Sequence, residues 1–271
     1  MRLTVAVPAD QAERAVAEAC ALAGTGCRER PAGEGAVALD LWLAPAAADP
    51  DALRAGLRAA GIEAEVAAAP ETGAWREAMR AFHRPVEIGG VLRVRPPWAP
   101  VRPPLHDVVI DPGMAFGTAQ HATTRTCLEL LAEVAPGGGS ALDAGCGSGV
   151  LAIAARRLGL DPVWAVDADP LAVEATLANA RRNGVGLRVA RRTIGADALP
   201  AADVLLANLT ATALATLAAH LPVPGPRLAI LSGLRPDEAG AAAAAFAPAG
   251  LRTREAREAE GWATALMERA P

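Results

Sequence analysis

The segment with the clearest chemical potential is LDAGCGSGVLAIAA, residues 142–155. An apolar run ends at Asp143, glycines follow at 145, 147 and 149, and a helix-patterned stretch begins. Glycines in a strand-to-helix turn permit tight geometry and let a ligand approach backbone N–H groups at the helix N-terminus. Gly147, Gly149 and Ala152 also satisfy the dinucleotide spacing. The loop alone therefore leaves a nicotinamide-dependent oxidoreductase open. Cys146 has no basic partner nearby in sequence and reads as a small residue suited to a tight loop rather than a nucleophile.

Two polar residues sharpen this reading. Asp167 closes the next apolar run, VWAVD, where a carboxylate can accept both hydroxyls of a ribose. Its alternative is a turn or cap before the following helix, because DADP precedes that helix. Asn208 ends VLLAN, where an amide can hold a ligand or a substrate amine. The alternative there is a cap for a helix beginning near Thr210. A further distinctive stretch is IDPGMAFGTAQHATTRTCLELL, residues 110–131. It sets Met114 and Phe116 beside His121, Thr123 and Thr124, as a pocket wall would, although threonines also cap helices routinely.

Such residues need strand ends and helix starts to hold them. From residue 105 onward strands alternate with helices, which predicts a mostly parallel sheet covered on both faces. Its strands are expected at 106–111, 140–145 and 163–168, then in LRVARRT, ADVLLANL and RLAILSG. Residues 251–256 and 262–268 read as a hairpin adding an antiparallel edge. The first 70 residues follow the order β-α-β-β-α-β, the split ferredoxin-like pattern. Residues 71–104 read as a connector: a helix over 72–82 with Trp75, Met79 and Phe82 on one face, then a Pro/Gly-rich link. The expectation is thus a two-domain α/β protein, with a small domain over 1–70 and a larger, mostly parallel α/β domain over 105–271.

Composition sets outer limits. Hydrophobic residues are 52% and charged residues 21% of the 271, a globular balance. All 26 basic residues are Arg; there is no Lys. The net charge of −4 argues against general nucleic-acid binding, which needs a positive excess. Cys20, Cys27, Cys127 and Cys146 form no CxxC pair and no metal-ligand spacing, so no metal is expected. With no secretion-signal pattern at the N-terminus, they read as reduced thiols of a cytoplasmic protein. Residues 204–223 are long enough to span a bilayer, but Asn208, His220 and Pro222 favour a strand followed by a helix, so no membrane role is expected.

Taken together, DPGMAFGT-xx-H-x-TT, LDAGCGSGVLAIAA, AVDADPLAVEAT, ANARRNGV, ANL, LSGL and the terminal WATALMER resemble the PrmA family. Its members are S-adenosylmethionine-dependent methyltransferases of the large-subunit ribosomal protein numbered eleven. The likeness covers residues 72–268, including Pro96, Pro97 and Trp98. It implies a class I, Rossmann-like methyltransferase domain with a seven-stranded, mostly parallel sheet and S-adenosyl-L-methionine as cofactor. Thr124, Gly145, Asp167 and Asn208 would contact the cofactor, with Phe116 and Thr118 close by, and Asp143, Gly147 and Gly149 complete the expected cradle. It further implies that residues 1–70 grip a ribosomal protein; the net charge of −4 adds that no direct nucleic-acid contact is expected. The family usually carries Gly where Ala119 stands, and has an Ile-Leu run where Leu-Thr-Ala-Thr follows Asn208.

The expected reaction moves a methyl group from a sulfonium to a protein amine, most simply the ε-amine of lysine. A lysine is mostly charged near neutral pH, and desolvation beside a sulfonium would lower its pKa. No catalytic base is therefore assigned. Two other readings stand beside this one: methylation of a different protein, and a non-catalytic binding module that keeps the pocket.

Overall fold

The computed structural model describes residues 2–23, 27–33, 35–43, 49–69, 83–111, 119–134 and 138–269. The chain divides into two compact units, residues 1–82 and 83–271. The helix expected over 72–82 lies outside the described residues.

The first unit runs β1 (Arg2–Pro8), α1 (Ala12–Ala23), β2 (Cys27–Pro31), β3 (Ala36–Trp42), α2 (Pro50–Ala59) and β4 (Glu65–Ala69). The strand order is β2-β3-β1-β4, with every neighbouring pair antiparallel. This is the ferredoxin-like arrangement, in which β3 sits between β1 and β2. Period-two alternation turns Leu3, Val5 and Val7 of β1 inward. They meet Ala15 and Ala19 of α1 and Leu53 and Leu57 of α2. Asp49 caps α2 by accepting the N–H groups of Asp51 and Ala52, and Pro50 fits the first helical position.

The second unit opens with a three-stranded sheet of β5 (Val86–Ile88), β6 (Leu92–Arg95) and β7 (His106–Val109). The Pro/Gly-rich stretch read as a link thus supplies β5 and β6. Ile88, Leu92 and Val94 are buried in one apolar cluster with Leu128 and Leu131 of α3 (Ala122–Val134). Strand β7, expected to open the large parallel sheet, pairs instead with β6. A side-chain amide bonds its end: Asn183 accepts the Val109 N–H at 2.8 Å and donates to the Val109 carbonyl at 2.7 Å.

The large sheet contains β8 (Ala141–Ala144), β9 (Val163–Asp167), β10 (Arg188–Arg191), β11 (Val204–Asn208), β12 (Leu228–Leu234), β13 (Leu251–Ala259) and β14 (Trp262–Arg269). Its order is β10-β9-β8-β11-β12-β14-β13. The first five strands are parallel; β14 is antiparallel to β12 and closes a hairpin with β13. The remaining helices are α4 (Val150–Arg157), α5 (Pro170–Asn183), α6 (Ala211–Ala219) and α7 (Pro236–Ala244). Alternate residues serve opposite faces. Ala141, Leu206 and Ile230 pack with α3 and α4, whereas Leu142, Leu205 and Leu231 pack with α6 and α7. The apolar run 204–223 resolves into β11 and α6, and no helix among the described residues is long and apolar enough to cross a membrane.

Candidate functional site

Because β8, β9 and β11 are parallel, Ala144, Asp167 and Asn208 end on one edge of the sheet. Chain order reverses between β8 and β11, which opens a crevice outside the strands' carboxyl ends. The glycine loop spans it. Gly145 and Cys146 both donate their N–H to the Val166 carbonyl, at 2.8 and 3.0 Å. Gly149 starts α4 with φ 80°, and a Cβ there would lie 2.8 Å from Thr176 Cγ2 and 3.2 Å from its Cα. Only glycine fits that position.

One face of α5 holds the loop from below. Thr176 donates to the Gly147 carbonyl at 3.0 Å. Asn179 donates to the Ser148 carbonyl at 2.9 Å and accepts the Asp111 N–H at 3.1 Å. With Asn183 these make a buried polar stripe at helical spacing, tying the glycine loop to the end of β7. The sequence reading missed it. The available signal was two Asn four residues apart inside ANARRN, unfavourable in a helix interior unless the amides have partners.

Asp167 does not cap α5; Asp169 does, accepting the Leu171 N–H at 2.9 Å. Asp167 Oδ2 accepts the Gly147 N–H and Oδ1 the Asp169 N–H, each at 3.0 Å. A carboxylate has about four acceptor positions, so both oxygens retain capacity for further donors.

Asp143 lies beneath the loop, 1% exposed. Its Oδ2 accepts the Ala152 N–H at 3.0 Å, which pins the first turn of α4, while Oδ1 is buried without a hydrogen-bond partner. Burial, with a smaller contribution from the nearby Asp167 charge, pushes this carboxyl up to about 7. Cys146 is buried, its Sγ lies 3.3 Å from Thr176 Oγ1, and its thiol is pushed far up by burial. It stays protonated and fills space. Among the described residues no group of three or more His, Cys, Asp or Glu is placed to hold a metal.

Asn208 does not cap α6 either. Thr210 does so, accepting the Ala213 N–H at 3.4 Å. The Asn208 Nδ2 instead donates to Thr123 Oγ1 at 3.1 Å and to Thr124 Oγ1 at 3.2 Å, both on the first turn of α3. Beyond Asn208, the backbone of Leu209 passes close to Gly233. A Cβ on Gly233 would lie 2.4 Å from the Leu209 carbonyl oxygen, so LSGL requires glycine at this crossing. Ala119 is buried with φ 61°, the conformation glycine adopts at least cost. Phe116 and Thr118 lie outside the described residues.

This sheet order, with a glycine loop after the first parallel strand and an acid after the second, defines the class I, Rossmann-like methyltransferase fold. Residues 52–270 match the family model "Ribosomal protein L11 methyltransferase (PrmA)", and the chain belongs to that family. It is 39% identical over 197 residues to a ribosomal protein L11 methyltransferase of Symbiobacterium thermophilum, covering 71% of this chain and 64% of the relative. It is 42% identical over 202 residues to one of Pelotomaculum thermopropionicum, covering 72% and 65%. The chain thus spans slightly less than two thirds of the length of these relatives. Among solved structures, a ribosomal protein L11 methylase from Lactobacillus delbrueckii subsp. bulgaricus superposes with a TM-score of 0.61 at 27% identity. That match covers 69% of this chain and 99% of the other.

Proposed function

We propose that this protein transfers methyl groups from S-adenosyl-L-methionine to lysine amines of the large-subunit ribosomal protein L11. The observation that carries the reading is the placement of Asp167 and Asn208 at the ends of β9 and β11, flanking the glycine loop in a chain of the PrmA family. The residues fit the cofactor. Asp167 has acceptor capacity for two ribose hydroxyls, and Gly145, Gly147 and Gly149 present backbone without Cβ atoms. Asp143 holds the start of α4, and Thr124 stands beside Asn208. The family likeness adds Phe116 and Thr118, which lie outside the described residues. When bound, S-adenosylmethionine supplies a methyl group on a positively charged sulfur.

The chain's own part is orientation and desolvation. The Asn208 carbonyl accepts an N–H of the incoming amine and aims its lone pair across the crevice. No side chain is assigned as a base; desolvation favours the neutral amine. The acceptor comes from another molecule, because this chain has no lysine. The first unit grips that partner, the enzyme works in the cytoplasm, and it needs no direct nucleic-acid contact.

Incubation with labelled S-adenosylmethionine and a whole ribosomal protein extract tests the reading. A single labelled band corresponding to L11 is expected, with label on lysine after hydrolysis. Label on another protein would move the substrate, and tight NAD binding without S-adenosylmethionine binding would replace the whole reading by an oxidoreductase.

A further inference from the structure

An asparagine can present either end of its amide to a crevice, and the electron-dense atoms alone rarely distinguish the two. The structure assigns His121 and Thr123 as positioning residues that fix the Asn208 amide with its NH2 group towards α3 and its carbonyl outward. This rests on the methyl-transfer reading only for its consequence, not for its geometry.

The argument starts from a group that can only donate. The backbone N–H of Thr123 points at His121 Nδ1, 3.4 Å away. Nδ1 must therefore carry a lone pair, and the neutral ring holds its proton on Nε2. Thr123 Oγ1 lies 2.8 Å from the same Nδ1, so the hydroxyl proton also goes to the imidazole and the two Thr123 donors share its one lone pair. What Thr123 Oγ1 has left for Asn208 is lone pairs, which only an N–H can meet, at 3.1 Å. The second amide hydrogen reaches Thr124 Oγ1 at 3.2 Å. Both amide hydrogens are then engaged and the carbonyl is the end left for an amine. Thr123 is 2% exposed, so water does not substitute for its hydroxyl. Trp262 meets the imidazole edge-on, with centroids 5.1 Å apart at 65°, and holds the ring plane.

The test uses full-length 15N-labelled protein without cofactor or substrate. The His121 ring shifts should show the proton on Nε2. The Asn208 side-chain amide should exchange about tenfold faster in Thr123→Val than in the parent, and Thr123→Ser should restore it, consistent with one lost hydrogen bond. In turnover, Thr123→Val should lower kcat by about tenfold or more with KM for S-adenosylmethionine within about threefold, and Thr123→Ser should recover the rate. A ring proton on Nδ1, or unchanged Asn208 exchange in Thr123→Val, overturns the assignment. If Thr123→Val does not fold, the His121 tautomer in the unaltered protein decides alone. If the spectra agree but no protein is methylated, the orientation stands and the proposed function fails.

Discussion

The Asp167 carboxylate accepts the N–H of Gly147 at 3.0 Å, so the residue expected to face a ribose also holds the loop expected to face the rest of the ligand. Replacing Asp167 with Ala should therefore weaken S-adenosylmethionine binding through both roles. Hydrogen bonds to a charged group contribute about 1.5–3 kcal/mol each, so calorimetry should show affinity lowered by roughly tenfold or more. Asp167→Asn, which keeps one acceptor oxygen, should fall between the two. Unchanged affinity in Asp167→Ala would remove Asp167 from the site.

Asn179→Ala should be costly although Asn179 is assigned no ligand contact. The change removes the amide that accepts the Asp111 N–H and donates to the Ser148 carbonyl. Each such hydrogen bond contributes about 0.5–1.5 kcal/mol. Chemical denaturation should show a loss of about 2 kcal/mol, with cofactor affinity reduced in the same variant because Ser148 belongs to the glycine loop. A loss below about 0.5 kcal/mol would mean that solvent replaces the amide.

Asp143 makes stability depend on pH. Its folded carboxyl lies at about 7, above the ordinary value of 3.8, because of burial. Below the ordinary value both folded and unfolded chains are protonated there, and no penalty arises. Between the two values only the unfolded chain releases the proton, so stability contributed at this site falls as pH rises, by up to about 1.4 kcal/mol per pH unit. The penalty is complete above the folded value. Denaturation midpoints of the parent and Asp143→Asn, measured from pH 4 to 8, should diverge progressively in favour of the variant's slope. Parallel curves would show that the carboxyl ionises normally.

Gly233→Ala should disturb the site from outside it. The added methyl meets the Leu209 backbone, and φ 84° is unfavourable for alanine. Strain of about 1–2 kcal/mol joins an overpacking cost of about 1–3 kcal/mol. A drop in melting temperature should accompany a lower methylation rate, since Asn208 adjoins Leu209. By contrast, Ala119→Gly should be near neutral: it relieves positive-φ strain but loses a buried methyl and loosens the unfolded chain. Thermal melts of the two variants, read side by side, check the contrast.

The sequence by itself determined the kinds and order of most elements, because they rest on local physics. Period-two alternation in LTVAV, glycines between an apolar run and a helix, and the alternation of strands with helices after residue 105 are readable within a few residues of one another. The family likeness also lay in contiguous motifs. Only the tertiary structure decided where those elements went and what their polar ends touched. β7 looks like any other strand in sequence, yet it pairs with β6, and its end is bonded by Asn183, 74 residues later. Asp167 and Asp169 are interchangeable as helix caps on paper; the turn gives the cap to Asp169 and turns Asp167 to the glycine loop. Asn208 meets Thr124 from 84 residues away. A hydrogen bond depends on distance and angle between groups that the chain brings together only after the sheet forms, and no local periodicity encodes that meeting.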